Sequence, residues 1–280
     1  MVVLKDFGRG ATTVKWSPCE TRFAVGSGGK QIQVCAYDAD QDWWLGKPFR
    51  DGIESTIFDI AFHPSSLLIA AGGCDKKVFV YSAIIKALDS KATAKEVFGD
   101  VKPPKFGEKL FEFDTQGWVN GLAFSPSGNI LSVASHDSRM HFLSTDVANF
   151  EFGLIAQLRL KGLPATKVAF LDESSCVAAG FDMVPVLYSS ASGEWKSDET
   201  LDKKEKKEKK KGAAAMWADR DNRAGQEAHE HQTTHENNIT SIWVKPGSNV
   251  EFTTAGLDGR VVFWNTSLEA SFGGLKLRKS

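Results

Sequence analysis

Little in this sequence points to chemistry at a metal, a thiol or a membrane. Only four of its 280 residues are cysteine. Cys19, Cys35, Cys74 and Cys176 are dispersed with no Cys-x-x-Cys pair, which argues against a thiolate metal knuckle or a disulfide framework and predicts reduced, buried thiols. Neither sign of charge is in excess: 34 Lys and Arg face 35 Asp and Glu, for a formal net charge of -1. No overall field draws the chain onto nucleic acid or an anionic membrane, so neither is expected as a partner. No apolar run approaches the roughly 18 residues of a membrane span, and Met1 to Phe7 carries no apolar core of signal-peptide length. The expectation is a soluble, cytoplasmic protein. Catalytic signatures are missing too: there is no Gly-rich phosphate loop, no helical His-x-x-x-His pair and no Gly-x-Ser-x-Gly elbow. His229, His231 and His235 are close in sequence but share a polar stretch without a fourth ligand. No catalytic residue, metal site or cofactor is therefore assigned.

What the chain does have is a repeat. Thr13-Val14-Lys15-Trp16-Ser17-Pro18 is followed by Phe23 to Gly28 and by the alternating run Ile32 to Tyr37, which reads strand, turn, strand, turn, strand. The pattern returns at Ile60 to Pro64, Leu68 to Asp75 and Val78 to Tyr81. It returns again at Leu122 to Gly128, Ile130 to Asp137 and Met140 to Leu143. The fourth copy is Lys167 to Asp172, Cys176 to Asp182 and Val186 to Tyr188, and the fifth Ile239 to Val244, Phe252 to Gly259 and Val261 to Asn265. Trp16 to Phe62 and Phe124 to Phe170 are each 46 positions apart, close to the roughly 40–45 residues of a four-stranded propeller blade. Phe62 to Phe124 spans 62, so an insertion lies between them.

The predicted fold is all-β, a WD-repeat β-propeller with five recognisable blades in a single domain over 1–280. Asp75, Asp137, Asp182 and Asp258 recur before the third strand, where a short carboxylate accepts hydrogen bonds from turn N–H groups. Only the last copy carries a near-WD dipeptide, Trp264-Asn265. There His235, Thr254, Asp258 and Trp264 stand where WD repeats place a structural hydrogen-bonded network, stabilising only if every buried member is satisfied.

Two inserts, at about 89–117 and 198–236, break the rhythm. The first, with Pro103-Pro104 and several Lys and Glu, reads as a long surface loop closing on an outer strand at Leu110 to Phe113. The second opens with the run Asp202 to Lys211, too polar to bury anything, and turns abruptly to helix formers at Ala213-Ala214-Ala215-Met216-Trp217. That turn either folds onto the propeller rim or docks in a hydrophobic groove of another protein with Trp217 as anchor. In Asp42-Trp43-Trp44, successive strand residues point to opposite faces. One Trp is thus expected in the core, with the other free to face outward.

These blocks, with Tyr81 to Lys86 and Thr253 to Gly259, resemble in the same order the WD-repeat propeller subunit of the actin-related protein 2/3 complex. The resemblance spans nearly the whole chain, and Asp42-Trp43-Trp44 and the late insert are its less common elements. It implies a seven-bladed ring and a non-catalytic structural role in actin filament nucleation and branching at the actin cytoskeleton. Its implied partners are the other subunits of the complex, the actin filament and nucleation-promoting factors. It also implies that Ala213, Ala214, Ala215, Met216 and Trp217 occupy the place of a short projecting helix that contacts actin. Family members carry about two more blades before the block that begins here, and Met1 to Phe7 reads like the outer strand of a blade whose inner strands are absent. A fragment and a divergent five-repeat protein are both open on this reading. The alternative function is a generic WD-repeat protein-interaction scaffold, which would lack both the Asp-Trp-Trp element and the late insert.

Overall fold

Short runs of β-branched, aromatic and small residues, cut by turns bearing Gly, Asp or Ser, fold into strands that pair with their immediate successors. The computed structural model describes residues 9–86, 88–99, 102–147, 151–190, 193–202 and 233–266. The first blade is β1 (Ala11–Trp16), β2 (Arg22–Ser27), β3 (Ile32–Asp38) and β4 (Trp43–Phe49). The second is β5 (Ile57–Phe62), β6 (Leu68–Gly73), β7 (Lys77–Ser82) and β8 (Lys109–Asp114). The third is β9 (Val119–Phe124), β10 (Ile130–Ser135), β11 (Arg139–Asp146) and β12 (Glu151–Arg159). The fourth is β13 (Ala165–Phe170), β14 (Ser175–Gly180), β15 (Val186–Ser189) and β16 (Lys196–Thr200). The fifth, three-stranded among the described residues, is β17 (Ile239–Val244), β18 (Glu251–Gly256) and β19 (Val261–Asn265). Each blade is an antiparallel meander in sequence order.

The first strands β1, β5, β9, β13 and β17 stand side by side in that order, so the sheets follow one another as five propeller blades. Among the described residues β17 and β1 do not pack in the same way. The hydrophobic core is divided among the blade interfaces. Ala24, Ile32 and Val34 meet Ile57, Ile60 and Phe79 between blades 1 and 2. Leu68, Val78 and Val80 meet Leu122, Leu131 and Leu143 between blades 2 and 3. Phe142 meets Val168, Tyr188 and Trp195 between blades 3 and 4, the Trp195 ring stacking on Phe142 at 3.8 Å between centroids. Leu171 and Val177 meet Phe252 between blades 4 and 5. Each interface removes large apolar side chains from water, which is the main force holding neighbouring blades together.

The first insert differs from the expected loop. It holds a helix, α1 (Lys91–Phe98), whose Ser90 cap accepts a hydrogen bond from the Thr93 N–H at 3.1 Å and whose last turn is closed by Gly99, at φ 62°. The helix forms because it has something to bury: Phe98 is fully enclosed against the core between blades 2 and 3. Just before it, Asp89 makes a buried fork with Arg22 of β2. One guanidinium nitrogen donates to Asp89 at 2.9 Å and to the Ala83 carbonyl at 3.0 Å, while the Ile85 N–H donates to the same carboxylate at 2.7 Å. The insert is thereby tied to blade 1. Of the cysteines, Cys35 and Cys176 are buried, Cys74 is half-buried and Cys19 is exposed, so uniform burial does not hold; all four are free thiols.

Candidate interaction surface

The hydrogen-bonded set in blade 5 follows from its register. Thr254 of β18 pairs with Val262 and Phe252 with Trp264, placing Thr254 and Trp264 side by side. The Trp264 indole N–H donates to the Thr254 hydroxyl at 2.8 Å, and that hydroxyl lies 2.8 Å from Nε2 of the buried His235 ring. On the other side of the ring, Nδ1 is 3.0 Å from Asp258. Asp258 also accepts from the Glu236 N–H at 2.8 Å and the Arg260 N–H at 3.1 Å. Burial pushes the Asp258 carboxyl up, but these N–H donors and the His235 ring outweigh it and hold the group below the usual carboxylate range. The equivalent register positions hold Ala71 and Tyr81 in blade 2, Val133 and Leu143 in blade 3, and Ala178 and Tyr188 in blade 4. The network is thus confined to blade 5 among these.

A second feature recurs from blade to blade. Pairing between the first two strands skips one residue in every blade: Thr12, Phe58, Asn120, Thr166 and Thr240. Such a bulge turns the skipped side chain out of the ladder. In three blades it reaches the first strand of the next: Thr12 donates to the Ile57 carbonyl, Asn120 to the Ala165 carbonyl at 3.1 Å, and Thr166 to the Ile239 carbonyl at 2.9 Å. In blade 2 the bulge residue is Phe58, and its ring joins exposed aromatics at the same end of the blades.

The ends of the blade succession carry apolar side chains as well. On blade 1, Trp44 packs with Trp16, Phe23 and Tyr37 at centroid distances of 5.7, 5.1 and 5.6 Å, and Trp16 is 57% exposed. On blade 5, Trp243, Val261 and Phe263 are exposed, Phe263 by 73%. Interiors and obligate contacts usually cover rings of this size, so these faces mark where further protein can pack.

Comparisons with known proteins show which family the chain resembles. The family described as WD domain, G-beta repeat, matches residues 47–82, 107–142 and 227–265. Each match ends in or at the third strand of a blade. The first two begin within or just before the fourth strand of the blade before, so the repeat unit straddles two sheets. Actin-related protein 2/3 complex subunit 1A-A of Xenopus laevis is 37% identical over 288 residues, covering 99% of this chain and 76% of that relative. Subunit 1 of the same complex from Schizosaccharomyces pombe is 33% identical over 94% of this chain and 75% of its own length. Subunit 1A of Arabidopsis thaliana is 31% identical over 94% and 72%. The chain belongs to the actin-related protein 2/3 complex subunit 1 family.

Within that family frame, the residues expected from sequence fall in three groups. His235, Thr254, Asp258 and Trp264 are brought together in blade 5. Ala213, Ala214, Ala215, Met216 and Trp217 lie outside the described residues. Trp43 and Trp44 correct an expectation: neither enters the inter-blade core. Trp43 is exposed, and Trp44 is half-buried in the aromatic group on the face of blade 1 that does not meet blade 2. The core side of blade 1 is taken by Ala24, Val34, Ala36 and Phe49 instead. Sequence reasoning missed the Arg22–Asp89 fork, whose partners are 67 residues apart, and the line of rings that begins at Phe58.

Proposed function

We propose that the chain is a non-catalytic structural subunit of an actin-related protein 2/3 complex, supporting the nucleation and branching of actin filaments. The observation that carries this is the breadth of the kinship: 31–37% identity to subunit 1 proteins over 94–99% of the chain. A generic WD-repeat scaffold accounts less well for similarity that runs through blades and inserts alike. In this role the propeller is a rigid platform whose exposed aromatic faces and loops meet protein rather than substrate. Its partners are the other subunits of the complex, the actin filament and nucleation-promoting factors, and its location is the cytoplasmic actin cytoskeleton.

The segment Ala213 to Trp217 is assigned within this reading to the filament contact, because Met216 and Trp217 follow a charged run that cannot pack. The experiment is affinity purification of the tagged chain from cells, followed by branch counting on single filaments with the recovered complex. Recovery of the other subunits, with branching activity, is the expected result; a tagged chain that folds but recovers none of them refutes the assignment. Trp217→Ala is expected to reduce branching while leaving complex recovery unchanged, since truncating an interface Trp commonly costs about 2 kcal/mol or more.

A further inference from the structure

Beyond assembly into the complex, we infer that the face of the propeller where the first strands begin is a docking site for a short proline-rich segment in the polyproline II conformation. A line of rings crosses three blades there. Phe58, the bulge residue of β5, meets Trp118, the residue before β9, at 6.2 Å; Trp118 stacks on His136, just after β10, at 5.4 Å; and His136 meets Phe181, just after β14, edge to face at 6.0 Å. Trp118 is 45% and Phe181 38% exposed, and His136 is exposed as well. Exposed aromatic rows of this kind mark binding sites.

The polar groups around the line say which occupant fits. Three of the four rings directly precede an aspartate, and each of those carboxylates is turned into the protein. Asp59 accepts from the Leu122 N–H at 3.1 Å and lies 3.7 Å from the Lys167 ammonium. Asp137 accepts from the Ser135 hydroxyl. Asp182 accepts from the Leu163 N–H at 2.7 Å. These carboxylates are not available to pair with a basic peptide. The Trp118 indole N–H, by contrast, meets no acceptor among the described residues. The Asn120 amide lies 3.4 Å from His136 Nδ1, an arrangement that favours the tautomer with the proton on Nε2.

Flat, exposed rings that carry N–H donors complement a segment that offers apolar rings and free carbonyls and has no N–H groups of its own to satisfy. That is proline-rich sequence, whose low conformational freedom also lessens the cost of binding. The three separations place the outer rings at most about 18 Å apart, the rise of about six residues at ~3.1 Å each.

The test uses the full chain, and separately the complex that contains it. Each is titrated by calorimetry and by indole N–H magnetic resonance with an octaproline peptide. An alanine-glycine peptide of equal length and an acidic leucine-glutamate peptide serve as comparisons. Octaproline alone is expected to bind. Its affinity should fall about tenfold or more in Trp118→Ala and severalfold in Phe181→Ala, and stay unchanged in Trp243→Ala, whose ring is exposed away from the line. Trp118→Phe, which keeps a ring and loses the N–H, should fall between. If Trp118→Ala fails to fold, Phe181→Ala and the wild-type indole shift still decide the question. The inference is overturned if octaproline does not bind at millimolar concentration, if Trp118→Ala and Phe181→Ala bind it as well as wild type, or if the acidic peptide binds in its place. It is equally overturned if sedimentation finds a second copy of the chain seated on these rings. None of these outcomes touches the subunit assignment, which is read from complex recovery.

Discussion

Replacing Asp89 by alanine should destabilise the chain far more than its place in an insert suggests. The Arg22 and Asp89 side chains are only 3% and 7% exposed, and the fork also engages the Ala83 carbonyl and the Ile85 N–H. Removing one partner of a buried pair strands the other charge out of water, at about 3–5 kcal/mol. In chains of roughly this size each kcal/mol moves Tm by about 2–4 °C, so the loss should be on the order of 6–20 °C. Calorimetric melts of Asp89→Ala, Arg22→Met and the double variant Arg22→Met/Asp89→Leu provide the measurement. The double variant should recover much of the loss, because replacing both charges by apolar groups of similar size removes the desolvation penalty as well as the attraction. A shift under about 2 °C in Asp89→Ala, or single effects that simply add in the double variant, would refute the claim that this fork ties the insert to blade 1.

Thr254→Val should cost about 1–3 kcal/mol in urea unfolding, since it removes the acceptor of the Trp264 indole and the partner of His235 from a buried network. Burial pushes His63 down to about 4 from 6.5, opposed by a weaker backbone contact from Gly128. The unfolded chain therefore takes up this proton first as pH falls, so stability present at neutral pH is lost between about 6.5 and 4; a His63→Asn variant should flatten that part of a Tm-versus-pH curve. Gly128 and Gly193 both have positive φ, but a Cβ on Gly128 would stand 1.9 Å from the His63 ring whereas one on Gly193 meets nothing within 4 Å. Gly128→Ala should thus cost several kcal/mol and Gly193→Ala about 1–2, with His63→Ala partly rescuing the former in chemical denaturation. Trp16→Ser with Phe263→Ser should reduce self-association of the isolated chain in sedimentation velocity, because both rings are mostly exposed on the end blades.

The blades were legible because a four-stranded unit has a period, and Trp16, Phe62, Phe124 and Phe170 mark it in the sequence. The blade 5 network was legible for the same reason: His235, Thr254, Asp258 and Trp264 fall at fixed offsets within one repeat. The α1 helix was not, since eight residues among lysines and prolines have no stripe long enough to read, and only Phe98 and its cap betray it. Trp44 misled because alternation says that neighbours face opposite ways without saying which side of a blade meets another blade. The ring line was illegible for a deeper reason: Phe58, Trp118, His136 and Phe181 belong to different blades, and only strand register and blade stacking bring them to one line.

The bulge contacts give the stack of blades a polarity. Thr12, Asn120 and Thr166 each donate forward to the next first strand, so the two ends differ chemically as the ends of a filament do. At the leading end, Thr240 reaches back to its own blade at the Ala255 carbonyl, 3.3 Å away; at the trailing end, the position that receives such a bond elsewhere is the carbonyl of Ala11. To continue the forward pattern, a sheet added at one end supplies an acceptor for Thr240 and one added at the other end a donor to Ala11. The joint between blades 2 and 3 is the exception in this vector. With Phe58 in the donor position, the connection there is made backward, from the Leu122 N–H to Asp59, so a blade transplanted into that slot would need an aspartate next to its bulge rather than a hydroxyl or amide on it.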